Sequence, residues 1–415
     1  MFETLFHYPS VLASHREGPA AEERRRFLLY RANEGAAPAT LLRTASELLV
    51  IARNIDIPTS GSVSRQDLEV AANKWARRQQ RRHRSHGLRW SREWFLRVST
   101  SWFRFLGRLQ KPVLPPSPLA HLITDFVQYM RAERGLSEAT IRNRCWHVQQ
   151  FLGWLISKNR SLAEVSVGDV DAFLSAKGTQ DWGRISVATS AQALRAFFRH
   201  AELRGWCANN LAGAINGPRV FKHEGLPVGP AWADVQRLIA STDGDRCRDI
   251  RDRAILMLFA TYGFRSSEVA SLRLEQVNWE REAIAILRLK QRRTQEYPLI
   301  HSVGHAIIRY LEQVRPRCSC REIFLTLKAP FRRLSAGALY HLVRSRLSAL
   351  QIESLHRGPH SLRHACAGHL VAEKFSLKEV GDHLGHRSAF ATRTYAKVDM
   401  PGLREVANFD LGGLL

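Results

Sequence analysis

Apolar residues recur three and four positions apart along most of this chain, and that spacing predicts helices. Thr40 to Ile51 carries one apolar stripe, and Val63 to Leu68 opens a second helix with Ser64 at its N-cap. Leu122, Phe126, Tyr129 and Met130 keep helical spacing. Ser137 to Thr140 starts a further helix that carries Ile141, Trp146, Val148, Phe151, Leu152 and Leu155. Gly168 to Asp171 reads as the next start, with Asp169 as N-cap, and Ser186 to Leu203 as another helix, ending at Gly205. Farther on, helices are predicted over 231–240, 247–262, 266–272, 303–315, 335–350, 361–373, 376–383 and 388–396. The period changes within that last region. Ala283 to Leu289 and Glu296 to Ile300 read as two strands of a small antiparallel sheet, with Phe324 to Thr326 as a further short strand.

Interruptions in the pattern divide the chain. Lys111 to Pro118 holds four prolines in eight residues, which ends any helix and stiffens the backbone. Gly213 to Gly229 is a glycine-rich connector with Pro218 and Pro227. The expected organisation is a helical, basic extension over 1–110, a linker over 111–118 and a helical bundle over 119–212. The connector 213–229, a mainly helical domain with a small sheet over 230–408, and a tail over 409–415 follow. A chain of 415 residues is too long for one core, which fits two or three domains.

Charge narrows the function. Lys plus Arg is 62 against 38 for Asp plus Glu, a formal net charge of +24. So much like charge repels itself in a compact fold, and a polyanion relieves it; nucleic acid is the obvious partner, a merely basic soluble protein the bland alternative. From Lys74 to Arg108 the only acid is Glu93, while Arg77, Arg78, Arg81, Arg82 and Arg84 crowd one end and tryptophans and phenylalanines interleave. Trp90 and Trp94 share a helical face. Two readings fit: a basic arm on phosphates, or a helix with its aromatics packed inward and its arginines solvated.

The six cysteines are scattered, which disfavours a secreted disulfide framework. Cys318-x-Cys320 has no second pair at zinc-ribbon spacing and reads as reduced thiols. No signal peptide is apparent and the apolar runs are too short to span a bilayer, so a cytoplasmic, DNA-associated protein without membrane contact is expected.

Three boxes near the C-terminus carry chemistry: Gly263-Phe264-Arg265-Ser266-Ser267-Glu268, His360-Ser361-Leu362-Arg363-His364, and Leu384-Gly385-His386 followed by Tyr395. Arginine forks bind phosphate oxygens bidentately and keep their charge. A tyrosine oxygen can take a phosphoryl group covalently, and histidine can move a proton near neutral pH. Singly, each has a structural reading: a surface arginine, a packed tyrosine, helix histidines. Glu268 reads as an ion-pair partner for an arginine rather than a catalytic acid. His360, His364, Cys366 and His369 do not converge well as zinc ligands on one helix. No Walker A or H-E-x-x-H motif is present.

Together these boxes resemble the tyrosine recombinase family, the phage-integrase type of site-specific recombinase, over residues 119 to 400; the Leu136 to Ile141 segment looks like part of the family's core-binding domain. The resemblance implies a mainly α fold with a small antiparallel sheet, a clamp around duplex DNA, and a homo- or hetero-tetramer on two duplexes. It implies that Arg265 and Arg363 hold the scissile phosphate, that Tyr395 attacks phosphorus to give a 3′-phosphotyrosyl bond, and that His360 accepts or shares the tyrosine proton. It implies further that His386 binds a phosphate oxygen and Lys290, between the two strands, protonates the leaving 5′-oxygen. Arg292 and Arg293 would share phosphate contacts. No cofactor or metal is implied. The expected function is DNA integration or transposition of a mobile element; the rivals are relaxation of the type IB topoisomerase kind and a non-catalytic DNA-binding partner subunit.

Overall fold

The helical periodicity is realised almost throughout. The computed structural model describes residues 1–55, 61–81, 88–110, 119–180, 182–220, 229–288, 293–386, 392 and 395. The linker 111–118, Arg82, Arg84, Lys290, Arg292, most of the helix expected over 388–396 and the tail 409–415 lie outside the described residues. The chain divides into two compact units, Pro112–Glu224 and the combination of Met1–Lys111 with Gly225–Leu415.

The smaller unit is a helical bundle: α7 (Ala120–Ala132), α8 (Glu138–Ser157), α9 (Val167–Gln180), α10 (Arg184–Leu203) and the short α11 (Leu211–Ala214), numbered after six N-terminal helices described next. Phe126, Val148, Phe151, Phe173, Leu194, Phe197 and Phe198 are shut from solvent at its centre. Each such side chain contributes about 1.5–3 kcal/mol over leaving it exposed. Ser137 caps α8 as its sequence suggests. At α9 the cap differs from the sequence expectation. Ser166 is the N-cap and Asp169 the third helical residue: Ser166 Oγ accepts from the Asp169 N–H at 3.3 Å, and Asp169 Oδ2 accepts from the Ser166 N–H at 2.9 Å. The reciprocal bonds satisfy two orphan donors at once, whereas Asp169 alone as cap would satisfy one.

In the larger unit the N-terminal helices are α1 (Phe2–Leu5), α2 (Pro9–Arg16), α3 (Ala21–Asn33), α4 (Pro38–Asn54), α5 (Arg65–Arg81) and α6 (Leu88–Phe105). Ser64 caps α5, accepting from the Asp67 N–H at 3.1 Å. Their core contains Phe27, Leu28, Leu48, Phe95, Trp102 and Phe103, and Ala329 from far along the chain packs against it. Gly35 lies so close to the Phe331 ring that a β-carbon there would sit 2.2 Å from it. The remaining elements are α12 (Trp232–Ala240), α13 (Cys247–Tyr262), α14 (Ser266–Ala270), β1 (Val277–Asn278), β2 (Ala283–Arg288), β3 (Arg293–Pro298), α15 (His301–Gln313), α16 (Ala336–Ala349), α17 (Pro359–Ala372) and α18 (Leu377–Leu384). The three strands form one antiparallel sheet in the order β1-β2-β3, with Ala283 opposite Pro298 and Arg288 opposite Arg293. Phe324 to Thr326 adds no strand; Leu325 makes an isolated bridge to Arg333.

Candidate active site

The three boxes lie at helix ends that meet. Helix α13 stops at Gly263, whose φ of +58° is the left-handed conformation that glycine adopts without steric cost. Phe264 is then buried, which turns Arg265 to the start of α14. Glu268 holds that arginine at both ends: Oε2 accepts the Arg265 backbone N–H at 2.8 Å and Oε1 accepts from Nη1 at 2.8 Å. Glu268 is almost wholly buried, while 31% of the Arg265 side chain stays open to solvent. Burial pushes the Glu268 carboxyl upward, but the Arg265 N–H and the Arg288 guanidinium outweigh it, and the group titrates below its usual range.

Arg363, on α17, is buried and joins the first box to the third. Its Nη1 donates to the Gly263 carbonyl and its Nη2 to the Leu384 carbonyl at 2.8 Å. Burial, then Arg265, lowers it to about 10, which leaves it charged at neutral pH. Helix α18 begins in a Ser376/Glu379 capping box and ends at Gly385, with φ +63°. His386 follows, and its Nδ1 shares a 2.8 Å hydrogen bond with Thr392 Oγ1. The Tyr395 ring lies parallel to that of His386 at 6.3 Å and is itself 3% exposed. Burial pushes the Tyr395 hydroxyl up to about 12, against the pull of Arg363.

The Tyr395 hydroxyl shares a 2.9 Å hydrogen bond with His364 Nδ1. The family resemblance implied that His360 accepts or shares the tyrosine proton and fitted His364 as a structural residue of the helix; here His364 touches the hydroxyl, and the His360 ring stands edge-on to His364 at 4.4 Å. Helix geometry explains this, since His364 is one turn farther along α17 toward Tyr395. Burial, then His360, holds His364 down at about 4, so its imidazole is neutral. In the tautomer that carries its proton on Nε2, Nδ1 is free to accept the hydroxyl hydrogen. His386 is likewise held at about 4, by burial and then Arg363. Among the other candidate zinc ligands, His369 stacks on Trp232 at 3.9 Å and Cys366 Sγ lies 3.6 Å from the Thr261 carbonyl; no metal-binding group of His, Cys, Asp and Glu exists among the described residues.

Sequence reading missed Arg288, which is 1% exposed at the end of β2. It donates to Glu268 Oε2 at 2.7 Å, to Gln295 Oε1 at 3.2 Å and to the Tyr297 hydroxyl. That hydroxyl donates to the His383 carbonyl at 2.6 Å, and Gln295 Nε2 to the Asp382 carbonyl at 2.8 Å. Arg288 thus ties the hairpin to the first and third boxes. Its signal was present: β2 buries Ile284, Ile286 and Arg288 on one face, and a cation at an inward strand position needs a partner. Of the remaining expected residues, Arg293 is exposed at the start of β3, and Arg77 and Arg78 are exposed on α5. Arg81 ends α5, with its side chain outside the described residues, as are Lys290 and Arg292 entirely.

A mainly helical domain that gathers two arginines, histidines and a buried tyrosine is the class the sequence suggested, and family comparison agrees. The profile of the Phage integrase family matches residues 232–401, and that of the phage integrase N-terminal SAM-like domain matches residues 123–205. The chain belongs to the phage integrase family of tyrosine recombinases. It is 35% identical over 295 residues to the integrase/recombinase y4rA of Sinorhizobium fredii, covering 70% of this chain and 71% of that one. It is 27% identical over 280 residues to the tyrosine recombinase XerD of Lacticaseibacillus casei, covering 66% and 92%. The fold resembles that of the Tn1549 transposon integrase in complex with a circular intermediate DNA, at a TM-score of 0.51 and 14% identity, over 68% of this chain and 99% of that one. No helix among the described residues is long and apolar enough to cross a membrane.

Proposed function

We propose that this recombinase cuts and rejoins duplex DNA at specific sites through Tyr395, in the integration or transposition of a mobile element. The observation that carries the reading is the 2.9 Å bond between the Tyr395 hydroxyl and His364 Nδ1, one residue from Arg363. A hydroxyl pushed up to about 12 is un-ionised at neutral pH, so attack needs a base in contact with it. His364 takes the proton as the tyrosine oxygen bonds to phosphorus. The P–O bond to the 5′-oxygen breaks, and Lys290 supplies the proton that leaves with it. Arg265 and Arg363 balance the charge gathering on the non-bridging oxygens, and His386 adds a contact to one of them. The phosphotyrosyl bond keeps the energy of the phosphodiester, and a 5′-hydroxyl from a second duplex reverses the step. Four copies, of this chain or with related recombinases, would serve two duplexes. The family profile and the likeness to a transposon integrase support the mobile-element setting.

A duplex nicked beside the cleavage position tests the reading. The wild type should trap a covalent adduct and join strands between two duplexes, while Tyr395→Phe should bind DNA and trap none. An adduct of undiminished yield in that variant refutes the nucleophile; relaxation without joining would point to the topoisomerase rival, and absence of any adduct in the wild type to a pure binder.

A further inference from the structure

The N-terminal helices carry a built cationic surface that neither family profile reaches, since both matches begin at or beyond residue 123. On α6 the Trp90 and Trp94 rings lie 6.3 Å apart and within 6° of parallel. From α4, the Arg43 guanidinium reaches over both, 4.5 Å from the Trp90 ring centre and 4.8 Å from that of Trp94. Arg97 stacks on Trp94 at 4.3 Å. The four side chains form a ladder of alternating indoles and guanidiniums across two helices.

The ladder faces water. Trp90 is 54% exposed, and Arg43 and Arg97 are exposed. Neither arginine has a carboxylate partner among the described residues. The near acids form no ion pair with them: Glu93 is bonded to Arg89 at 2.8 Å, and Glu47, one turn from Arg43, is raised by burial to about 7 against the pull of Arg43. A guanidinium stacked flat on an indole keeps its N–H edge free and loses little freedom when that edge meets an anion. A purely structural helix would pack Trp90 inward and leave its arginines solvated rather than set over indoles.

The geometry points to a second DNA-contacting site on α4 and α6, in which Arg43 and Arg97 are pre-ordered by Trp90 and Trp94 to grip backbone phosphates of the duplex. The net charge of +24 and a single acid between Lys74 and Arg108 favour a polyanion over an ordinary protein surface. Phosphate contacts carry no base information, so the site adds affinity to any flanking sequence.

The test uses the full chain and a long duplex, with affinity measured by fluorescence anisotropy against salt. Loss of two phosphate contacts in the Arg43→Ala/Arg97→Ala variant should flatten the log–log salt slope by about 1.8. Between 50 and 200 mM salt the wild type should therefore lose about twelve-fold more affinity than the variant. Covalent capture at saturating DNA should match the wild type, which separates this site from the proposed catalytic one. Arg43→Lys/Arg97→Lys keeps the charge, and Trp90→Leu removes one rung; each should bind more weakly with a nearly normal slope. Wild-type affinity and slope in the alanine pair would overturn the proposal. So would a defect confined to self-association in sedimentation without DNA, which would mark a protein contact. If the alanine pair melts early, the lysine pair decides: wild-type affinity there refutes ordering by the indoles.

Discussion

Arg288 Nη1 donates to Glu268 Oε2 at 2.7 Å, with both side chains almost wholly buried. The pair stands behind Arg265, because Glu268 spends its other oxygen on the Arg265 side chain. Arg288→Met removes one charge from a site closed to water and leaves Glu268 partly uncompensated. Breaking a buried pair in this way costs about 3–5 kcal/mol, which urea denaturation would measure. Arg288→Met with Glu268→Gln should recover part of that loss, and equal stability of the single variant and the wild type would show the pair to be dispensable.

The boxes are legible in the sequence because their chemistry is local: an arginine after a helix-ending glycine, a histidine one turn from another, a turn glycine before a histidine. The catalytic-side helices are legible for the same reason, since 247–262 needs only its own periodicity. Arg288 is legible only in part: the alternation along β2 turns it inward, but its partners Glu268 and Tyr297 are not adjacent to it in sequence. The contact of His364 with the Tyr395 hydroxyl is not legible, because it depends on Tyr395 lying beside α17. The packing of the N-terminal helices against Ala329 and Phe331 depends on a contact nearly 300 residues away in sequence, and no local pattern encodes it.

Gly385 carries two demands. Its φ is +63°, and a β-carbon would sit 2.6 Å from the Arg288 guanidinium carbon. Gly135 has a similar φ of +57° with nothing within 4 Å. Gly135→Ala should therefore cost only the backbone term, about 1–2 kcal/mol. Gly385→Ala should cost more and also slow cleavage, because the displaced Arg288 holds Glu268. Equal melting shifts for the two variants would argue against the close approach.

His364 and His360 can be told apart by cleavage rate. Loss of a general base slows a reaction by about 10²–10⁴-fold. His364→Gln should slow covalent capture in that range with DNA affinity unchanged, and His360→Gln should do less. The reverse order would return the tyrosine proton to His360, as the family resemblance implied.

The neutral histidines make the fold sensitive to acid. His364 and His386 are held at about 4, whereas an unfolded histidine titrates near 6.5. As pH falls the unfolded chain takes up these protons first. The stabilisation they give is complete above 6.5 and is lost progressively between 6.5 and 4. Histidine Cε1 NMR shifts on the free protein should show both groups untitrated at pH 5.5, and DNA phosphate, countering Arg363 and Arg265, should raise His386. A His386 that titrates near 6.5 without DNA would remove this account.

In the sequence Lys290 falls between β2 and β3, two residues after Arg288 and three before Arg293. If it protonates the leaving 5′-oxygen, Lys290→Ala should cleave an ordinary duplex slowly. A 5′-bridging phosphorothiolate leaves as a stable thiolate and needs no proton, so that substrate should restore most of the rate. The rescue separates proton donation from phosphate binding, because a lost phosphate contact would slow both substrates alike. Rescue in Arg292→Ala or Arg293→Ala, but not in Lys290→Ala, would move the acid to that arginine's position in the hairpin.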